Sequence, residues 1–424
     1  MTSDTGGRTY SWYFLGLLTF IYIMGSIDRG VISVIAEPLK SHFQLTDQQI
    51  GILGGIGYSA TYAIAALPSG WLIDRRNRRN LLSVTIAAWS FLSAFSAFAS
   101  SFAILMIARL AVGAAEAPIT PGSLSLIADI FPKDRRSSAV GFYYAGTAAG
   151  QIILFLLGGW LLMHFTWRSV FLVAGIPGLV LAALLLFTTR EPERGTFDTQ
   201  IPKGDGGVKA VGAGPMEVVR ATWNNRPLLL SIPAITIGSG VVYAVTVWST
   251  SFFVRVHHMT VSQGLIWTGV GFGLCMAIGS VLVGPFADRI SGGDPRKIAA
   301  IAAIASILAI VAGIPMVLGG SEATAIAGLA AFSFMGGVFY PTGFAIALNL
   351  APADQRGTVM AGIRLISVFF GSGLLPIATG AVSDITGSIQ PALLLTILLL
   401  AVSAALYAWI YRMLRIQDVR LGSG

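Results

Sequence analysis

The sequence predicts an all-α membrane protein of twelve transmembrane helices arranged as two pseudo-symmetric six-helix bundles. Three observations carry that prediction. First, 55% of the 424 residues are apolar and 11% are charged, with a mean hydropathy of +0.77. A soluble protein carries about 25% charged residues, so this chain cannot clothe a water-facing surface. Second, twelve runs are long enough to cross the hydrocarbon core, which takes roughly 20 apolar residues. Third, the two halves of the chain repeat one another's charge signatures at a nearly fixed offset.

The runs are 11–36, 48–73, 80–99, 102–129, 137–164, 168–189, 228–256, 262–289, 296–317, 323–350, 356–384 and 388–413, numbered here as spans 1 to 12. The first is too long for the apolar core of a signal peptide and eleven more follow, so it reads as retained. Between Arg190 and Arg226, Gly, Pro, Asp and Lys replace the Leu and Ala of the spans. That stretch divides the chain into a bundle at 1–189, a cytoplasmic linker at 190–227 and a second bundle at 228–424. With the N-terminus inside, 21 of the 27 Lys and Arg residues fall on the cytoplasmic side, whereas Lys40, Arg168 and Arg255 fall outside. This bias makes both termini cytoplasmic. The net charge of +8 then records topology and calls for no nucleic-acid partner.

Composition also narrows the function. The single Cys275 excludes a disulfide framework or a multi-cysteine metal site, and His42, His164, His257 and His258 are too scattered for a metal cluster. No metal or cofactor is expected. His-Glu-x-x-His, Gly-x-Ser-x-Gly and the phosphate-cradling Gly-x-x-x-x-Gly-Lys-[Ser/Thr] loop do not occur, so an intramembrane enzyme and an ATP-driven pump lack support.

The repeat is read at helix ends. Span 2 closes on Gly70-Trp71-Leu72-Ile73-Asp74-Arg75, and span 8 on Gly284-Pro285-Phe286-Ala287-Asp288-Arg289, 214 residues later. Pro121-Gly122 and Pro132-Lys133-Asp134 in the first half answer to Pro341-Thr342-Gly343 and Pro352-Ala353-Asp354 in the second, 220 residues apart. Two parallel six-helix repeats are the architecture of the major facilitator transporters. Gly70-x-x-x-Asp74-Arg75-x-x-Arg78-Arg79 resembles the loop 2–3 signature of that superfamily, with Asn77 where a Gly is usual. The resemblance implies a cytoplasmic latch, with Asp74 against the N-terminus of span 11 and Arg78 reaching Asp129. Gating roles follow for Asp74, Arg75, Arg78 and Asp129, and for Asp288 at the repeat position. The Gly-Pro antiporter signature is absent from span 5.

An ionisable residue inside a span costs about 2.5–3.5 kcal/mol on insertion scales. Span 1 carries Asp28 and Arg29, span 4 Arg109 and Glu116, and span 11 Arg364. At 1.5 Å per residue, Asp28 lies roughly 12 Å and Arg109 roughly 10 Å below the outer ends of their helices. They share a level, and a buried pair between them is expected, either in the transport path or as a permanent helix clamp. Glu116 lies seven residues after Arg109, on the same face and near the midplane. Burial there favours a protonated carboxyl, while Arg109 or Arg29 nearby favours the charged form. An anion arriving at the arginine would release Glu116 to bind a proton; the alternative is a fixed counter-ion. Arg364 offers a fork to a carboxylate or phosphate, or snorkels to the inner headgroups.

The resemblance sharpens in the first 150 residues. Met24-Gly25-Ser26-Ile27-Asp28-Arg29, Asp74-Arg75-Arg76-Asn77-Arg78-Arg79, Arg109-Leu110-Ala111-Val112-Gly113-Ala114-Ala115-Glu116 and Leu126-Ile127-Ala128-Asp129-Ile130-Phe131 resemble the Spinster-like transporters. Eukaryotic members of that family are linked to sphingosine 1-phosphate and lysophospholipids; the short termini here resemble a bacterial member of the inner membrane. The resemblance implies a monomeric secondary transporter working by alternating access, with membrane lipids as its surroundings. Asp28 and Glu116 would couple protons, and Arg29, Arg109 and Arg364 would bind the substrate. The leading cargo is an amphipathic anion such as a lysophospholipid; the alternative is a small organic anion such as a sugar acid, moved with protons.

Overall fold

The computed structural model describes residues 4–197, 220, 222–352 and 355–422, and among them the secondary structure is helical with no strand. Among the described residues, ten helices are long and apolar enough to cross a membrane, including Thr9–Phe43, Phe102–Ile130, Arg226–Val256 and Arg356–Thr386. An eleventh crossing is a bent pair, Asp47–Ala66 with Pro68–Arg75, turned by 48°. The twelfth is Arg78–Ser96, 19 residues long. It buries Ser83, Ser90, Ser93 and Ser96 against its neighbours. Together these are spans 1 to 12 of a multi-pass integral membrane protein.

Helix ends and apolar edges do not coincide. Span 1 stays helical through Pro38 to Phe43, because hydropathy marks the limit of the hydrocarbon and not the last backbone hydrogen bond. Spans 8 and 11 each contain a π-helical segment, Val270–Cys275 and Ser367–Gly373. Such widened turns are rare and cluster at functional sites. Both are glycine-bearing, and the second passes close to span 7, where a Cβ on Gly371 would strike the Thr236 carbonyl.

The chain forms two compact units, Met1–Gln44 with Gly57–Gly207, and Leu45–Ile56 with Val208–Gly424. The start of span 2 therefore belongs with the second unit, where a division at the central linker places it with the first. Glycine is the cause. Gly51 and Gly55 lie against the carbonyls of Pro376 and Gly373, and Gly380 against that of Asp47, all too close to admit a Cβ. Backbones of this separation pack through small residues. At Gly55 (φ −99°, ψ −100°) the helix breaks and restarts at Ile56. The segment is pinned at its head. Arg255 grips both carboxylate oxygens of Asp47 at 2.7 and 2.9 Å, and Ser383 donates to the same group at 2.6 Å. The backbone N–H groups of Asp47 and Gln48 donate to Asp384 at 2.9 and 2.8 Å, a carboxylate at a helix N-terminus.

The core of the first unit is aromatic, with Phe14, Tyr22, Trp89 and Tyr143 among its buried members. That of the second includes an alanine-lined seam of Ala234, Ala299, Ala302 and Ala303 closed by Tyr407 and Ile410.

Candidate functional site

The charges of spans 1 and 4 meet inside the first unit, and proline and glycine decide where. Span 4 is interrupted after Glu116: the helix Phe102–Glu116 ends, and Ile119–Ile130 begins beyond Pro118. Pro118 has no N–H to continue the ladder, and neither has Pro121. Glu116 thus occupies the last turn before the break. Its carboxylate fits because residue 25 is glycine; a Cβ there would stand 2.5 Å from Oε1. Gly113 likewise lets the Tyr58 backbone of span 2 close on span 4, and the Thr61 hydroxyl donates to the Leu110 carbonyl at 2.5 Å.

Two ion pairs result, and they differ in access. Arg29 Nη1 donates to Glu116 Oε1 at 2.9 Å, with the arginine side chain 28% exposed and the glutamate 1%. The Tyr58 hydroxyl donates to Glu116 Oε2. Arg109 Nη1 donates to Asp28 Oδ2 at 2.9 Å, and both side chains are sealed. The Ser93 hydroxyl from span 3 holds the other oxygen of Asp28. The Arg109 guanidinium also lies 5.8 Å from the centre of the Tyr58 ring. Of the two arginines that the sequence offers as counter-ion to Glu116, the carboxylate bonds to Arg29, for which Gly25 leaves the space.

Around Arg29 the lining is aromatic and polar. Its guanidinium sits 5.5 Å from the centre of the Tyr22 ring, which stacks on Tyr143 at 4.4 Å and meets Tyr144 edge-on at 5.7 Å. Tyr58 stacks on Tyr62 at 5.4 Å. One turn before Arg29, Ser26 bonds to Gln151 Nε2 of span 5 at 3.4 Å, and Gln151 Oε1 has no hydrogen-bond partner among the described residues. The site thus offers one accessible cation, a buried carboxylate behind it, and several hydroxyl and amide groups. Arg364 stands exposed on span 11 in the second unit, three residues before the π-helical segment.

The loop 2–3 signature forms a separate network in the first unit. Arg78 is buried and bonds to Asp129, to Glu191 Oε1 at 2.7 Å, to the Ser125 hydroxyl at 2.9 Å and to the Pro192 carbonyl at 3.0 Å. Glu191 also accepts the Arg79 backbone N–H at 2.8 Å, and Asp129 accepts that of Gly195 at 2.9 Å. Residues 191–195, which read as linker, are tied to the ends of spans 2, 3 and 4. Asp74 and Arg75 are exposed at the end of span 2, with Arg75 over the Trp71 ring at 4.6 Å; the side chain of Asp288 lies outside the described residues. Removing Arg78 leaves Asp129 and Glu191 without their shared cation. Arg78→Ala is therefore expected to speed amide hydrogen exchange across 189–196 at least tenfold. Arg78→Lys should rescue it poorly, since one ammonium lacks the guanidinium's planar fork. Unchanged exchange in both variants would contradict this role.

Sequence reasoning did not single out Tyr58, Ser93, Glu191 or Asp47. The first two are ordinary polar residues of spans until a partner is known. Glu191-Pro192-Glu193-Arg194 and Asp47 lie just beyond apolar runs, where charge is the rule.

The sequence profile of the Major Facilitator Superfamily matches residues 18–312 and 263–421. The chain is 24% identical over 383 residues to an MFS-type efflux pump of Mycolicibacterium smegmatis, covering 90% of this chain and 86% of that protein. It is 25% identical over 408 residues to a probable L-galactonate transporter of Escherichia coli, covering 93% and 88%. Among solved structures it resembles a bacterial homologue of the human lysosomal transporter Spinster in an inward-facing, unoccupied conformation. There the TM-score is 0.83 at 26% identity, over 95% of this chain and 97% of the other.

Proposed function

Because the chain belongs to the Major Facilitator Superfamily and is a transporter, not an enzyme, we propose that it is a proton-coupled secondary carrier of an organic anion working by alternating access. One observation carries this reading: a part-exposed Arg29 is neutralised by a sealed Glu116. An anion entering at Arg29 competes with Glu116 for the guanidinium. The displaced carboxylate, desolvated and without its counter-ion, then takes up a proton. Arg29 is the anion-binding residue and Glu116 the proton carrier. Asp28 and Arg109, sealed together, hold spans 1, 3 and 4 in register and keep a second charge from the path. Arg364 supplies a cation from the second half. The bundles 1–189 and 228–424 are the two halves that alternate, with 190–227 between them. Asp74, Arg75, Arg78, Asp129 and Asp288 act at the cytoplasmic gate. The excess of basic residues in the loops supports a bacterial inner-membrane protein with both termini cytoplasmic, acting as a monomer.

For the cargo, the tyrosines, Ser26 and Gln151 around Arg29 favour a small hydroxylated carboxylate of the sugar-acid type, which uses hydroxyl and amide partners along its length. The likeness to the Escherichia coli L-galactonate transporter agrees. A second reading, an amphipathic anion such as a lysophospholipid, is favoured by the likeness to the Spinster homologue and by the low polar content of the spans.

The test is proton uptake on binding. Purified protein in lightly buffered detergent, with a pH indicator present, is titrated with a panel of aldonic and uronic acids and, separately, of lysophospholipids. The expected result is stoichiometric proton uptake with a sugar acid in the parent protein and none in Glu116→Gln. Binding from the lysophospholipid panel alone would overturn the cargo assignment. Binding without proton uptake would overturn the coupling.

A further inference from the structure

Glu116 is shared between two donors on different helices, and the second of them, Tyr58, has a place in the fold that Arg29 lacks. The start of span 2, Leu45–Ile56, belongs to the second unit, and the chain enters the first unit at Gly57. Tyr58 is the next residue. Its hydroxyl donates to Glu116 Oε2, its ring carries the Arg109 guanidinium and stacks on Tyr62, and its carbonyl abuts Gly113. We propose that Tyr58 is the positioning residue that sets the proton affinity of Glu116 and ties it to the break in span 2. This rests on the reading of Glu116 as the proton carrier.

A tyrosine hydroxyl has one proton to give, and here it goes to the carboxylate. Hydrogen bonds to an ionised group are worth more than those between neutral groups, so the donation favours the charged form of Glu116. Tyr58 keeps its proton throughout; the proton that Glu116 gains comes from water. The other groups facing the carboxylate are Asp28 on span 1, Arg29 on the same helix, and Arg109 on span 4. Tyr22 and Tyr62 face the Arg29 end. Among these, Tyr58 alone follows the glycine break directly. Any shift of the backbone at Gly55–Gly57 moves its hydroxyl, withdraws the donor and makes Glu116 easier to protonate. The proton site and the glycine break of span 2 are thereby linked through one side chain.

Infrared difference spectroscopy of the full chain in lipid, titrated from alkaline to acid pH without substrate, reads Glu116 directly. The band of interest is the protonated-carboxyl stretch that disappears in Glu116→Gln. In Tyr58→Phe the ring remains, with its stacking and its contact to Arg109, and only the donor is lost. The midpoint of the band is expected to move alkaline by about one pH unit, tenfold in proton affinity. A fluorinated tyrosine at position 58, a stronger donor, should move it in the acid direction. This second measurement serves if the phenylalanine variant is not recovered. A Glu116-dependent band whose midpoint is the same in the parent and both variants overturns the role of Tyr58 and leaves the proton carrier standing. Absence of any Glu116-dependent band in the parent overturns both.

Discussion

Asp28→Asn and Arg109→Gln each abolish transport and lower the yield of folded protein, and the double variant is less damaged than the sum of the two. The expectation follows from burial. Both partners are sealed from solvent at 0 and 1% exposure and bonded at 2.9 Å. Replacing one partner leaves the other charged and unpaired in the hydrocarbon region, a penalty of about 3–5 kcal/mol. Removing both costs the pair's attraction but also lifts two desolvation penalties, so the losses do not add. Ser93, which donates to Asp28, can still bond to an asparagine, so the double variant retains part of the clamp. Thermal unfolding of the four proteins in detergent closes the cycle. Full additivity would show that the pair does not act as a unit.

Much of this arrangement was legible in the sequence, and the reasons are geometric. Apolar length locates spans because hydrocarbon thickness sets it, and helical rise converts residue number into depth. That suffices to place Asp28 level with Arg109. Which of Arg29 and Arg109 pairs with Glu116 was not legible. Helix-face arithmetic assigns neighbours along span 4, but the carboxylate goes where a missing Cβ at Gly25 leaves room on another helix. The break of span 2 at Gly55 was hidden for a similar reason. Gly51 and Gly55 leave hydropathy almost unchanged, and only in three dimensions do they meet the backbone of span 11. Glu191 was hidden by its company: a carboxylate just beyond an apolar run is unremarkable until Arg78 is seen to need a second acceptor.

The two ion pairs also differ in access. Asp28 and Arg109 are sealed and triply tied, which suits a fixed joint. Arg29 and Glu116 are open on one side, and only such a pair can be parted by a ligand at modest cost. Of the charges within the first unit's spans, the proposed chemistry therefore uses the less buried arginine.

The measurement that bears most directly on this claim is uphill uptake by Glu116→Gln in liposomes, with and without an imposed proton gradient. Glutamine reproduces the shape of a protonated glutamate and still accepts from Tyr58, but it cannot gain or lose a proton. Gradient-driven accumulation is expected to fall to background, at least a hundredfold below the parent. Anion binding and downhill exchange should persist with little pH dependence, because Arg29 is then permanently released to the substrate. Accumulation equal to that of the parent under the same gradient would contradict the account, since the proton would have to be carried elsewhere.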